Sequence, residues 1–192
     1  MTSLAARRAT YGDLAALPEN VTGEIIAGEL YTQPRPAGPP TFVATGLGMD
    51  LGSPFDRGRG GPGGWFFAHE PELHLGDDVL VPDLAAWRAE RLGAEARTGT
   101  SLGVVPDWVA EVASPSTTQR DRLIKVPVYA SLGVAYLWLV ESVEGRVEAY
   151  ELSNGRWVWL GTWADERAAA IPPFDAVPLD LIRLWESTGL RG

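Results

Sequence analysis

The sequence predicts a mixed α/β fold, and three observations carry that expectation. First, Val104–Ala113 reads as a strand with apolar residues on both faces, the pattern of a central strand in a covered sheet. Second, a helical stretch to about Leu132 and a further strand, Val134–Glu141, follow it, and strand–helix–strand implies a right-handed parallel crossover. Third, Asn154-Gly155 joins two strand-like runs, Arg146–Leu152 and Arg156–Thr162, and Asn-Gly is a strong hairpin signal. The 192 residues, 45% hydrophobic and 21% charged, suit one domain with its own core and no internal repeat.

Thr10 can cap a short helix to Leu17, with Asp13 in its first turn, and Pro18 ends it. Val21–Tyr31 reads as a hairpin bent at Ala27-Gly28. Gln33–Pro40 carries four prolines and is expected to be an extended loop. Phe42, Val43, Leu47 and Leu51 recur at roughly helical spacing, although Gly46 and Gly48 weaken the pattern. A Gly-rich loop, Asp56–Gly64, leads to two expected strands, Trp65–Leu75 and Leu80–Trp87, and Ala89–Leu102 reads as loop or frayed helix. Ser116-Thr117-Thr118-Gln119 resembles a capping box for the helix that Gly133 would stop. Val177–Trp185 reads as a closing amphipathic helix.

Composition removes several classes of chemistry. With no cysteine there is no disulfide, thiolate metal site or cysteine nucleophile. Two histidines, His69 and His74, are too few for a His-rich zinc site, and both read as ordinary strand residues. The formal charge of −9 argues against a broad basic nucleic-acid surface but leaves room for a local one. No leader or membrane-spanning stretch is evident, so the expected location is the cytoplasm. No nucleotide-binding glycine motif, nucleophile elbow or zinc-protease motif is present. All positive residues but one are arginine, which codon bias in a GC-rich genome accounts for; the one lysine left, Lys125, is then a mild clue to a place where a compact ammonium serves and a guanidinium does not.

The remaining candidates are acids and that lysine. Glu111 lies mid-strand among apolar neighbours, where an unpaired carboxylate costs several kcal/mol. It either reaches water at a sheet end, pairs with an arginine, or serves chemistry. Asp83 follows Pro82, which removes a ladder donor and points to an edge, bulge or strand end; a turn aspartate is the alternative. Together, two strands each offering one carboxylate can hold a divalent cation such as Mg²⁺. Lys125 sits on the following helix, either turned to that site or paired on the surface with Asp121 four residues earlier, and Pro127 kinks or breaks the helix. Glu24 and Glu29 flank the first hairpin, as solvated acids or as further ligands.

Glu24–Leu30, Val81-Pro82-Asp83-Leu84-Ala85, Trp108–Thr117, Asp121, Lys125, Tyr129 and Tyr136-Leu137-Trp138 occur in an order and spacing that resembles the Uma2 family of restriction-endonuclease-like proteins, within the PD-(D/E)xK nuclease superfamily. The resemblance covers about residues 10–152 and is most specific over the Glu-Val-Ala-Ser-Pro-Ser-Thr segment that begins at Glu111. It implies a restriction-endonuclease-like core, a mixed central sheet flanked by helices, to which residues 153–192 add an antiparallel meander and a helix. It also implies metal-dependent hydrolysis of DNA phosphodiesters with Mg²⁺, for which Mn²⁺ may substitute. In that match Asp83 and Glu111 are the acids, with the Val112 carbonyl as a further metal ligand. Lys125 takes the place of the usual lysine two residues after the acid, where Ala113 stands. Glu24 or Glu29 matches the family's early acid.

The family's histidine after the Pro-rich loop has no counterpart in Pro39-Pro40-Thr41-Phe42. Arg57, Arg59, Arg120 and Arg122 are candidates for phosphate contacts, or are solvated loop arginines. The expected partner is double-stranded DNA and the expected assembly a homodimer, because two strands need two cuts. The alternative is a degenerate member that binds DNA or protein without cutting. A third reading is a binding module built on Trp157, Trp159 and Trp163, which exposed aromatic rings there would favour.

Overall fold

The computed structural model describes residues 7–34, 37–94, 96, 98–99, 101–113, 121–186 and 188–189. Helix α1 (Tyr11–Ala15) is entered through Thr10, whose backbone N–H donates to Asp13 at 2.7 Å. The hairpin β1 (Val21–Ile26) and β2 (Glu29–Pro34) turns at Ala27-Gly28, both at positive φ. Helix α2 (Pro39–Leu51) has prolines at its first two positions, where the missing N–H groups would have had no intrahelical acceptor. It buries Val43, Leu47 and Leu51, runs into a π-helical turn, Gly52–Asp56, and leads through the Gly-rich loop to the next strand.

Each of the two long strands expected from the sequence is broken in two. Trp65–Leu75 forms β3 (Trp65–His69) and β4 (Leu73–Leu75), and the second run forms β5 (Asp78–Leu80) and β6 (Leu84–Arg88). The reason is a change of sheet. Strands β3 and β6 pair in a six-stranded sheet, completed by β7 (Trp108–Ala113), β8 (Tyr136–Glu141), β9 (Arg146–Ser153) and β10 (Arg156–Trp163) in the order β10-β9-β8-β7-β6-β3, whereas β4 and β5 belong to a four-stranded sheet, β2-β1-β5-β4. The chain crosses between sheets at Glu70-Pro71-Glu72 and again at Val81-Pro82-Asp83, each centred on a proline that cannot donate to a ladder. The two corners are tied together by the Glu70 N–H donating to the Asp83 carbonyl at 3.1 Å.

Strand β7 (Trp108–Ala113) is buried along its whole length, as its two-sided apolar pattern predicts. It runs parallel to β8 (Tyr136–Glu141) and antiparallel to β6, so the large sheet is mixed. The expected capping segment, residues 116–119, lies outside the described residues. The helix itself appears as a π-helical segment, Asp121–Lys125, followed by α3 (Val126–Leu132). Pro127 falls in the first turn of α3, where a proline fits, and Gly133 ends the helix in the left-handed conformation at φ 82°. Strands β9 (Arg146–Ser153) and β10 (Arg156–Trp163) form the expected meander. The closing helix, α4 (Leu181–Glu186), is shorter than expected, because Leu179 is drawn into a bridge with Ala169 and Pro178 precedes it.

Alternation along β7 divides the core. Trp108, Ala110 and Val112 face α2, α4 and a ring cluster around Phe174, which meets Phe55, Trp65, Phe67, Trp108 and Trp138 at centroid distances of 4.9–5.7 Å. Val109 faces the other way, towards α3 and the small sheet, with Ile26, Leu80, Tyr129 and Leu137. Glu111 shares that second face, between the large sheet, the small sheet and α3.

Candidate active site

Three elements bring polar side chains to this face. Strand β7 supplies Glu111, β1 supplies Glu24, and the Asp121–Leu132 segment supplies Asp121, Lys125 and Tyr129; all five side chains are buried. The Lys125 ammonium stands 2.7 Å from Glu111 Oε1 and 2.9 Å from Glu24 Oε1, and donates to the Val81 carbonyl at 3.2 Å. An ammonium has three N–H donors, and these three oxygens account for them. Tyr129 donates its hydroxyl to Glu111 Oε1 at 2.5 Å, and Glu24 Oε1 accepts the Val81 N–H at 2.8 Å. Glu24 thereby fixes the corner at which the chain leaves the small sheet for β6.

Asp83 is the last residue of that corner. The β6–β7 register ends with Leu84 paired to Ala110, and Asp83 and Glu111 are the next residues beyond that pair on the two segments. Its Oδ2 accepts the Val112 N–H at 2.6 Å. Burial is the main cause that pushes the Asp83 carboxyl up, to about 6, reinforced by Asp121 and Glu70 and opposed by Lys125 and the Val112 N–H. Burial also raises Glu111 well above the ordinary carboxyl range, with Asp121, Asp83 and Glu24 adding to it and Lys125 opposing. Burial alone would lower Lys125, but Glu111, Glu24 and Asp121 together raise it, so the lysine stays charged.

Asp83, unlike Glu111, opens to solvent. It lines a cleft of about 350 Å³ between the first turns of α2 and the β3 and β6 corners, shared with Thr41, Thr45, His69 and Glu70. Among the described residues no group of three or more His, Asp or Glu side chains is arranged to hold a metal ion. The donor set present is two neighbouring carboxylates, one of them held by a backbone N–H. These are hard oxygen donors of the kind a divalent cation takes while keeping several waters.

The other sequence candidates separate clearly. Of the two hairpin acids, Glu24 joins Lys125, while Glu29 is exposed and accepts a hydrogen bond from Tyr31 at 2.7 Å. Arg57 and Arg59 lie in the exposed loop before β3 and do not line the cleft. Arg120 lies outside the described residues. Arg122 is committed to Glu141 at 2.8 Å and to Glu148 at 2.9 Å. In the meander, Trp157 donates to the Val126 carbonyl and Trp163 packs on the core, leaving Trp159 exposed. Sequence reasoning missed the Val81 carbonyl as a lysine partner and did not place His69 beside Asp83. The alternation of β1 could have favoured Glu24, because it shares a face with Ile26 and not with Ile25.

This architecture, a mixed sheet flanked by helices, is a nuclease-like fold. A solved "putative nuclease belonging to DUF820 from Anabaena variabilis" has the same fold, with a TM-score of 0.73 over 94% of this chain and 99% of that chain at 21% identity. The chain belongs to the Uma2 family, described as "Putative restriction endonuclease", whose profile matches residues 9–182. No functionally curated protein matches it. Among the described residues no helix is long and apolar enough to cross a membrane.

Proposed function

We propose that this protein is a metal-dependent endonuclease that hydrolyses DNA phosphodiester bonds, and that Asp83 and Glu111 are its metal-holding acids. The observation that supports the reading is the position of Asp83 and Glu111 as the next residues beyond the Leu84–Ala110 pair, with Asp83 opening onto a cleft. Asp83, Glu111 and the Val112 carbonyl would hold Mg²⁺ or Mn²⁺. Such a cation, when bound, polarises the phosphate and lowers the pKa of a bound water.

The protein's own residues prepare that site. The Val112 N–H holds one Asp83 oxygen and so fixes the carboxylate's direction. Tyr129 and Lys125 hold Glu111 Oε1, leaving its second oxygen for other work. With its three donors engaged, Lys125 acts as a positioning residue that keeps Glu24 and Glu111 in place. The proline corner leaves Asp83 half-buried at the cleft while Pro82 and Leu84 on either side are buried. A duplex needs two hydrolyses, so the proposal extends to double-stranded DNA as substrate and a homodimer as the working form.

The test is cleavage of plasmid DNA in Mg²⁺ or Mn²⁺ by wild type, Asp83→Asn and Glu111→Gln. Cleavage by wild type that both folded variants lose is the expected result. Variants that cut at the wild-type rate would overturn the site. The second reading, a family member that binds without cutting, is favoured by one observation: the three acceptors around Lys125 leave it no donor for substrate. Metal-independent DNA binding without cleavage would establish it.

A further inference from the structure

The residues that hold Asp83 and Glu111 offer the cleft no hydrogen-bond donor. Lys125 and the Tyr129 hydroxyl are buried and engaged with Glu111. Two of the cleft's own side chains, Asp83 and Glu70, are acids. The first two residues of α2 are prolines, and the Thr41 N–H already donates to the Gly38 carbonyl at 3.1 Å, so the helix start offers the cleft the Thr41 and Thr45 hydroxyls but no charged donor. A phosphodiester strand drawn to Asp83 would meet one nitrogen side chain there, His69.

His69 is seated on purpose-built ground. It is the last residue of β3 and pairs with Leu84, the neighbour of Asp83. Its imidazole lies against Gly48 of α2: a Cβ at that position would stand 2.2 Å from Nε2 and 2.9 Å from Cε1. Glycine within a helix is less favourable than alanine, and here its missing Cβ is the space the ring occupies. Among the described residues the exposed ring has no hydrogen-bond partner. The other histidine, His74, is held by Glu72 at 2.6 Å and packs on Tyr11.

We infer that His69 is a substrate-contacting residue, donating a ring N–H to a phosphate oxygen of the nucleic-acid strand that lies on Asp83, and that Gly48 exists to seat it. The inference rests on the nuclease reading and names a contact of the same site. The phosphate oxygen accepts, the imidazole donates, and no proton needs to leave the ring.

The test exploits the presence of only two histidines in the chain. Imidazole NMR signals of the full-length protein are followed while a short DNA duplex is added in Ca²⁺. Signals of His69 should shift with duplex concentration while those of His74 stay in place. In parallel, His69→Ala should lower cleavage roughly ten- to hundredfold, the loss of one hydrogen bond to a charged group. It should keep Mn²⁺ binding and the unfolding midpoint. Gly48→Ala, which favours the helix but pushes the ring aside, should lower cleavage in the same direction and add little to His69→Ala. Wild type that cuts DNA while the His69 signals stay still, or His69→Ala that cuts at the wild-type rate, would overturn this inference and leave the nuclease reading standing. Wild type that neither binds nor cuts DNA would take both down.

Discussion

Lys125 Nζ stands 2.7 Å from Glu111 Oε1, and both side chains are almost wholly withdrawn from water. One is the chain's single lysine, the other the acid in its most deeply buried strand. Removing either partner from such a pair leaves an uncompensated buried charge, which costs far more than the intact pair contributes. Lys125→Met should therefore destabilise the protein by about 3–5 kcal/mol. Urea unfolding monitored by tryptophan fluorescence measures this, and a loss below about 1 kcal/mol would contradict the burial of the pair.

Asp83 gives a pH signature. Its folded value, about 6, lies above its unfolded value of about 3.9, so the folded state holds the proton more tightly. The stability it contributes is complete below the unfolded value and is lost as pH rises through about 6. Glu111, also raised, acts in the same sense. Unfolding midpoints of wild type should fall between roughly pH 4 and pH 6, and those of Asp83→Asn should fall less over the same window. Parallel curves would show that Asp83 does not titrate in this way.

Cation binding should depend on the same residue. Calorimetric titration of Mn²⁺ into wild type should give saturable binding that Asp83→Asn loses. The cation should also raise the melting temperature of wild type, because it binds only the folded site. Equal binding by both proteins would place the ion elsewhere.

Tyr129 holds Glu111 through its hydroxyl, at 2.5 Å. Tyr129→Phe keeps the ring and removes that bond, leaving the fold intact at a cost of about 1.5–3 kcal/mol. Thermal unfolding reads the loss, and an unchanged melting temperature would mean that Lys125 alone holds the acid.

Phe174 is the hub of the opposite face, touching five aromatic rings. Phe174→Ala should destabilise by about 3–5 kcal/mol through the cavity it leaves, with no direct effect on Glu111 across the sheet. Denaturant unfolding and Mn²⁺ titration of the same variant separate the two effects.

Much of this was legible in residue order. The apolar run of β7 announced a central strand, Gly133 the end of α3, and Asn154-Gly155 the β9–β10 turn, because each rests on local rules of periodicity and backbone geometry. The same rules read Trp65–Leu75 and Leu80–Trp87 as unbroken strands, because nothing local says that a proline corner carries the chain from one sheet to another. The second sheet follows from that crossing and was invisible without it.

The sequence by itself determined which residue types were available: no cysteine, one lysine, and acids set into apolar strands. It also determined the alternation that puts Glu111 on the face opposite Trp108 and Val112. The tertiary structure alone decided partnership. It chose Glu24 over Glu29, turned Lys125 inward to three acceptors, and brought His69 to the cleft that Asp83 opens onto. The reason is physical. A strand's period says which face a side chain takes, whereas its partners come from elements tens of residues away that meet only when two sheets and a helix pack around one core.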